Sequence, residues 1–430
     1  MRRVSVLVSL VVLLAVIGLA SPEAGPFAAE EQIETFEIVW TTIRDTYFDP
    51  AFGGLDWTEV YDRYRSLILD AEDTEEFYWL LNLMIFELDR SHGAVIPPGD
   101  EGLFLPGVYA SGSAGIDLRR LDDDVTVVSV QPGSPADVAG LRPGFLIESI
   151  DHVPVRKTIE GALEHSTPPF NERGQAQTVD NALLGRVYGT AGTTVTLTYQ
   201  DEHGEAHTVQ LIREARERIS TRIQGMPPAY LEFESRWLSE DIGYVRFNTF
   251  HIDVVPDFAR AIESMRDAHG VIIDLRGNPG GYLDALLEVA GYVLADSTVL
   301  LTLVTHNETT EAVAVPAAHT YLGPLVLLID VRCTSGSEML SASLQALGRA
   351  VVVGEDTSGS VTGANMLSLP CGALLMYPFV QTLSADGKDP EGVGVTPDIA
   401  TRLDRAELLQ GIDAQLQAAW EHLAALDGDD

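Results

Sequence analysis

Lysine is almost missing from this chain. Of its 27 lysines and arginines only Lys157 and Lys388 are lysines, so any chemistry that needs a lysine base has two candidates. Cationic charge as a whole is scarce: 64 aspartates and glutamates leave a net charge of −37 over 430 residues. Such a surface repels nucleic acid and anionic lipid, which argues against a nucleic-acid partner. Cysteine is confined to Cys333 and Cys371, enough for one disulfide at most and too few for a cysteine metal cluster. The ten histidines are scattered and no His-Glu-x-x-His occurs, so the zinc-binding helix of metal hydrolases is absent. Long apolar runs are missing beyond residue 20.

The one apolar run, Val4–Ala20, follows Arg2 and Arg3 and ends in Gly18-Leu19-Ala20 before Ser21. That is the pattern of a secretory signal, and cleavage is expected after Ala20. An exported, periplasmic or extracellular protein follows, with no stable membrane insertion once the signal is removed. The run is near the lower limit for a span, so an uncleaved anchor is the alternative. Length and a hydrophobic content of 46% point to two or three globular domains.

Along the chain, Ile33, Phe36, Val39, Trp40, Ile43 and Tyr47 recur at helical spacing, and Trp57–Leu69 and Thr74–Leu88 repeat the pattern. Residues 21–107 therefore read as an N-terminal helical subdomain, whose last helix ends at Asp89-Arg90-Ser91-His92-Gly93. Residues 108–213 hold short strand-like runs around Pro132-Gly133-Ser134-Pro135, Gly140 and Pro143-Gly144, with a helical insertion over 156–188. This stretch resembles a PDZ domain. PDZ domains add a peptide to a sheet edge and hold its terminal carboxylate on backbone N–H groups. Gly115-Ile116-Asp117-Leu118 is the matching loop. A second glycine is common where Asp117 stands, and a carboxylate there weakens carboxylate capture, so a scaffold or lid role is the rival.

In residues 214–403 strands alternate with helices, as in a βαβ sheet. The turn Arg276-Gly277-Asn278-Pro279-Gly280-Gly281 lacks the lysine of a P-loop and the spacing of a dinucleotide fold. Residues 404–430 are a closing C-terminal helix with a frayed end. The chain is organised around Asp330-Val331-Arg332-Cys333-Thr334-Ser335-Gly336-Ser337-Glu338. It lies between the buried strand Pro324–Ile329 and a helix start at Leu340–Leu347. Two readings stay open here: a turn with an N-cap, or a nucleophilic serine beside N–H groups that stabilise an oxyanion.

Several motifs in order resemble the C-terminal-processing, or tail-specific, serine peptidases and their relative, the tricorn core protease. They are Ser91-His92, the PDZ-like stretch, Asp274-Leu275-Arg276-Gly277-Asn278-Pro279-Gly280-Gly281, the serine turn, Gly348–Glu355 and Glu391-Gly392-Val393-Gly394-Val395-Thr396-Pro397-Asp398. The resemblance implies an α/β fold with a ClpP/crotonase-like ββα core, an N-terminal helical subdomain and an inserted PDZ-like β domain. It makes Ser335 the nucleophile and Ser337 a helix cap. Ser360 stands where many members carry a lysine base, and Ala346 where they often carry an aspartate. Ser91, His92, Ser335 and Glu391 instead match the four residues of the tricorn-like branch.

The implied activity is hydrolysis of polypeptide substrates through an acyl-enzyme. His92 is the base, Glu391 holds its tautomer, and Ser91 orients either one. Gly336 and either Gly280 or Gly281 supply the oxyanion hole. No metal or organic cofactor is needed. Because only neutral imidazole can accept the proton, the rate is expected to rise through a single ionisation at about pH 6–7.5. The rival class is a catalytically silent relative that binds peptide or hydrophobic ligands. Oligomeric state is left open.

Overall fold

The computed structural model describes residues 29–100, 105–164, 172–220 and 228–426. The expected signal segment lies outside them. Among the described residues no helix is long and apolar enough to cross a membrane.

Three helices, Ala29–Thr46, Trp57–Leu69 and Thr74–Phe86, open the chain. Asp56 caps the second by accepting from the Thr58 and Glu59 N–H groups, and Asp73 caps the third through Glu76. Their apolar faces bury Phe36, Ile43, Trp57, Phe77 and Leu81. This core is closed by a strand from far along the chain. In Leu374–Leu383 successive side chains alternate faces: Leu375 packs among the helices, whereas Leu374 and Met376 pack into the main core. Strand Ala94–Ile96 pairs with it antiparallel. Asn82 pins that short strand, its side-chain amide donating to the Val95 carbonyl at 3.1 Å and accepting from the Val95 N–H at 2.7 Å. The end of the helical region, where His92 sits, is thus fixed to the second sheet of the molecule.

The PDZ-like region has the strand order Ile116–Leu121, Asp124–Val130, Leu146–Ile150, Thr194–Gln200, Ala206–Ile212. Ser134 caps its short helix Pro135–Val138, and Val155–Glu164 and Glu172–Val187 supply the helical insertion. The chain enters and leaves it side by side, with Gly112–Ser113 paired to Glu214–Ala215.

Beyond it stands a six-stranded sheet in the order Phe233–Trp237, Ile242–Phe247, Gly270–Asp274, Leu325–Ile329, Val351–Gly354, Ile399–Ala400, parallel except for its first pair. Helices Val255–Ser264, Leu283–Gly291 and Gly336–Ala346 cover one face and Ala414–Ala425 the other. Every residue of Leu325–Ile329 is buried. Each such side chain contributes about 1.5–3 kcal/mol, so the strand leading to Ser335 is among the least movable in the fold. Sequence periodicity did not single out the hairpin Thr298–Thr305 and Thr309–Ala314. The closing helix is broken: Arg405–Leu408 ends at Gly411 in a left-handed conformation (φ +76°) before Ala414–Ala425 begins. Both cysteines are free, so the disulfide that composition permits is not formed.

Candidate active site

The helix after the serine turn starts at Gly336, four residues before the expected Leu340, and Ser335 is its N-cap. Ser337 is therefore inside the helix and not its cap, and its hydroxyl donates to the Asn278 carbonyl at 2.8 Å. The early start follows from Glu338. Its buried carboxylate accepts from the N–H groups of Ser335 (3.2 Å), Gly359 (2.8 Å) and Ser360 (2.9 Å) and from the Thr357 hydroxyl. Burial pushes the Glu338 carboxyl up to about 7, against the four donors that favour its charged form. The Ser335 N–H also donates to the Ser360 carbonyl at 2.7 Å. Held this way, Ser335 adopts φ +53° and ψ −117°, a region that costs a non-glycine residue about 1–3 kcal/mol. This is the sharp strand-to-helix turn that presents a side chain at the end of a sheet.

His92 also has a positive φ, +64°, and is fully buried. Its Nδ1 lies 2.7 Å from the Ser91 hydroxyl, which donates to Glu391 Oε2 at 2.9 Å. Glu391 accepts in addition from the N–H groups of Ser91 (2.6 Å), Val361 (2.8 Å) and Thr362 (2.9 Å). Glu391 thus meets His92 through Ser91 and not through a bond of its own. The Val361 and Thr362 donors escaped sequence reasoning because no local pattern marks them. Segment 357–362 is the bridge of the site: one side holds Ser335 and Glu338, the other holds Glu391. His92 Nε2 and Ser335 Oγ are both buried, and neither has a hydrogen-bond partner among the described residues. Burial pushes the His92 imidazole down to about 3, so it is neutral at ordinary pH.

Two glycines stand beside the serine. The Gly280 N–H donates to Asn278 Oδ1 at 2.9 Å, and its carbonyl accepts from Phe250. A Cβ on Gly280 would lie 2.6 Å from the Gly336 nitrogen, so only glycine lets the two loops meet. The Gly280 N–H is thus already engaged where the two loops meet.

The PDZ-like loop turns toward the same turn. Asp117 grips Arg332 with two bonds of 2.7 and 2.8 Å. Arg119 reaches Asp330 (2.9 Å), Asp180 (2.8 Å) and Glu355 (3.3 Å). Burial pushes Asp117 and Asp330 up, but Arg332 and Arg119 beside them hold both below the usual carboxylate range. Along the sheet edge the Arg120 N–H, which strand addition would use, already donates to Asp180 at 2.9 Å.

Residues 241–401 match the model of peptidase family S41, residues 28–86 the tricorn protease C1 domain, and residues 126–164 a PDZ domain. The S41 match takes in the serine turn and Glu391. That match, with relatives named carboxyl-terminal-processing proteases, supports a serine peptidase. A carboxyl-terminal-processing protease of Synechocystis sp. is 26% identical over 412 residues, covering 94% of this chain and 89% of that relative. Among solved structures, the photosystem II D1 C-terminal processing protease (TM-score 0.54, 21% identity, 90% of this chain and 98% of that one) shares the fold. So does mature CPAF in complex with lactacystin (TM-score 0.60, 14% identity, 93% and 97%).

Proposed function

We propose that this protein is an exported endopeptidase of the C-terminal-processing type, with Ser335 as nucleophile and His92 as base. One observation carries the reading: the chain of hydrogen bonds Glu391–Ser91–His92 ends in an unpartnered Nε2, and residues 360–362 tie Glu391 to Ser335, whose hydroxyl is likewise buried and unpartnered among the described residues. The proton positions follow from the donors. Ser91 has one hydroxyl proton and gives it to Glu391, so His92 Nδ1 carries a proton and donates to Ser91 Oγ. The lone pair is then on Nε2, where a base needs it.

As Ser335 Oγ attacks a peptide carbonyl, its proton passes to His92 Nε2, and later from there to the leaving amine. The imidazolium formed in this buried place is stabilised by the Glu391 charge relayed through Ser91. The oxyanion is met by the N–H groups of Gly336, at the positive end of an 11-residue helix, and of Gly281. Losing one such donor costs about 3 kcal/mol of barrier. Ser335 Oγ and His92 Nε2 are not bonded to each other here, and such bonds often form only with substrate present. The PDZ-like region acts in this reading as a clamp on the nucleophile turn, since Asp117 and the Arg120 N–H are already engaged. Names of relatives as carboxyl-terminal-processing proteases support polypeptide substrates.

A fluorophosphonate probe is expected to label the wild type and not Ser335→Ala, with His92→Ala labelled far more slowly. A wild type that resists the probe and leaves polypeptides intact is instead the silent binder.

A further inference from the structure

The mechanism leaves one cavity unused. It has a volume of about 590 Å³ and lies between the end of the helical region and the Ser358–Ser360 loop. Ser91 and Glu391 stand in its wall, as does Ser360, whose carbonyl holds the Ser335 N–H. It is therefore on the His92 side of the nucleophile. Gly280 and Gly281 line a separate, small cleft with Tyr109 and Tyr282. In acyl transfer the base side belongs to the leaving amine.

The wall is acidic. It carries Asp49, Glu87, Asp89, Asp389 and Glu391 against a single cation, Arg90. Glu87 is paired with Arg63 and Asp389 with Arg90, and Glu391 is held by its four donors. Among the described residues the Asp49 carboxylate accepts only from the backbone N–H groups of Ala51 and Gly53, and Asp89 has no ion pair. Two carboxylates thus lack a counter-cation. Aromatic rings complete the wall, Tyr47 stacked on Phe52 at 5.2 Å and Phe48 beside them. Arg90 shows how this surface holds a guanidinium, with the Phe48 ring 5.5 Å beneath it and the Asp389 carboxylate 3.1 Å away. A second observation is independent of the acids. Ser358 is 3% exposed, lines the cavity, and its hydroxyl has no partner among the described residues, although a buried hydroxyl ordinarily finds one.

We propose that this cavity binds a basic side chain, lysine or arginine, from the leaving-group half of the polypeptide substrate. The ammonium or guanidinium meets Asp49 and Asp89, donates to the Ser358 hydroxyl, and lies against the aromatic rings. The net charge of −37 steers such peptides toward the protein, and the cavity gives the attraction a position. The proposal rests on the serine-peptidase reading for its orientation, so binding is tested apart from turnover. A fluorescent peptide with lysine and arginine in its C-terminal half is titrated into the full-length Ser335→Ala protein, beside a copy with glutamate at those positions. At least tenfold tighter binding of the basic peptide is expected, reduced about tenfold by Asp49→Asn/Asp89→Asn and severalfold by Ser358→Ala. Equal binding of the two peptides overturns the proposal. So does a basic preference that the double variant retains, since the acidic surface at large would then suffice. Cleavage mapping of a peptide library by the wild type should place lysine or arginine within three residues after the cut; an active enzyme indifferent to those positions also overturns it. Selective binding without any cleavage keeps the cavity and sinks the peptidase reading instead.

Discussion

The turn from Asp330 to Glu338 contains two opposite kinds of polar site. At Asp330 and Arg332 every charge is buried beside its counter-charge, in a network that reaches across to Asp117, Arg119 and Asp180. Three residues on, the Ser335 hydroxyl is equally buried and has no partner. A buried polar group without a partner costs about 1–3 kcal/mol, and the Ser335 backbone is strained as well. The paired half fixes the turn, and in the proposed mechanism the bare half presents the atom that substrate completes. Strain and missing partners persist at a site only where the surroundings over-determine them; here the surroundings are the ion network and the Glu338 carboxylate.

The largest effect should come from the bare half. Ser335→Ala is expected to lower kcat/KM by about 10⁴–10⁶-fold while leaving unfolding free energy unchanged within about 1 kcal/mol or raised, because an unpartnered hydroxyl is removed. His92→Ala and Glu391→Ala should also lose activity by orders of magnitude. Retained turnover by His92→Ala, measured on a peptide, would end the assignment of the base.

The paired half should show the reverse. Arg332→Met takes from the part-buried Asp117 its paired cation and leaves the buried Asp330 with Arg119 alone, and is expected to cost about 3 kcal/mol in denaturant unfolding. Asp117→Leu/Arg332→Met removes a matched pair and should recover part of that loss. If the double variant is as unstable as the sum of its singles, the two residues do not act as a pair.

A smaller effect separates the halves by pH. In the unfolded chain a histidine titrates near 6.5, whereas burial holds His92 down at about 3. Between those values the unfolded state binds the proton and the folded state does not. Stability linked to His92 is thus present above about pH 6.5 and lost as pH falls toward 3, on the order of 2 kcal/mol by pH 5. His92→Gln should flatten that part of the stability curve. The sequence alone suggested a rate that rises through about pH 6–7.5; burial removes that limb, and kcat/KM should be level across it. A histidine limb in that range would mean that His92 is solvated in the working enzyme.

That correction shows where legibility ended. Local patterns carried far: helical spacing over Trp57–Leu69, the apolar run before Asp330, the small residues around Ser335. What depends on distant partners did not appear. Asp117 and Arg332 are 215 residues apart, and nothing in either neighbourhood names the other. Ser91 and Glu391, 300 apart, were joined only by family resemblance, which left open whether Ser91 orients Glu391 or His92; in the structure it bonds to both. The bond from the Gly280 N–H to the Asn278 side chain was equally hidden. The hairpin Thr298–Ala314 has an exposed strand and a half-buried one, too mixed for periodicity to read.

The smallest expected effect tests whether the comparison covers every candidate base. Lys157 belongs to the PDZ-like region, which leaves Lys388 as the one lysine near Glu391 in sequence. A lysine base must be brought into a dry site before it gives up its proton. Lys388 is 81% exposed and pairs with Asp386 at 2.6 Å, not with Glu391. It is also absent from the cavity wall that Asp389 and Glu391 share. An exposed pair of this kind contributes about 0–1 kcal/mol. Lys388→Ala should therefore keep kcat/KM within about twofold of wild type, with stability changed by no more than the pair is worth. An inactive Lys388→Ala whose circular dichroism and unfolding midpoint match wild type would move the base from the buried histidine to the surface, and the distinction between the two halves of the turn would lose its functional meaning.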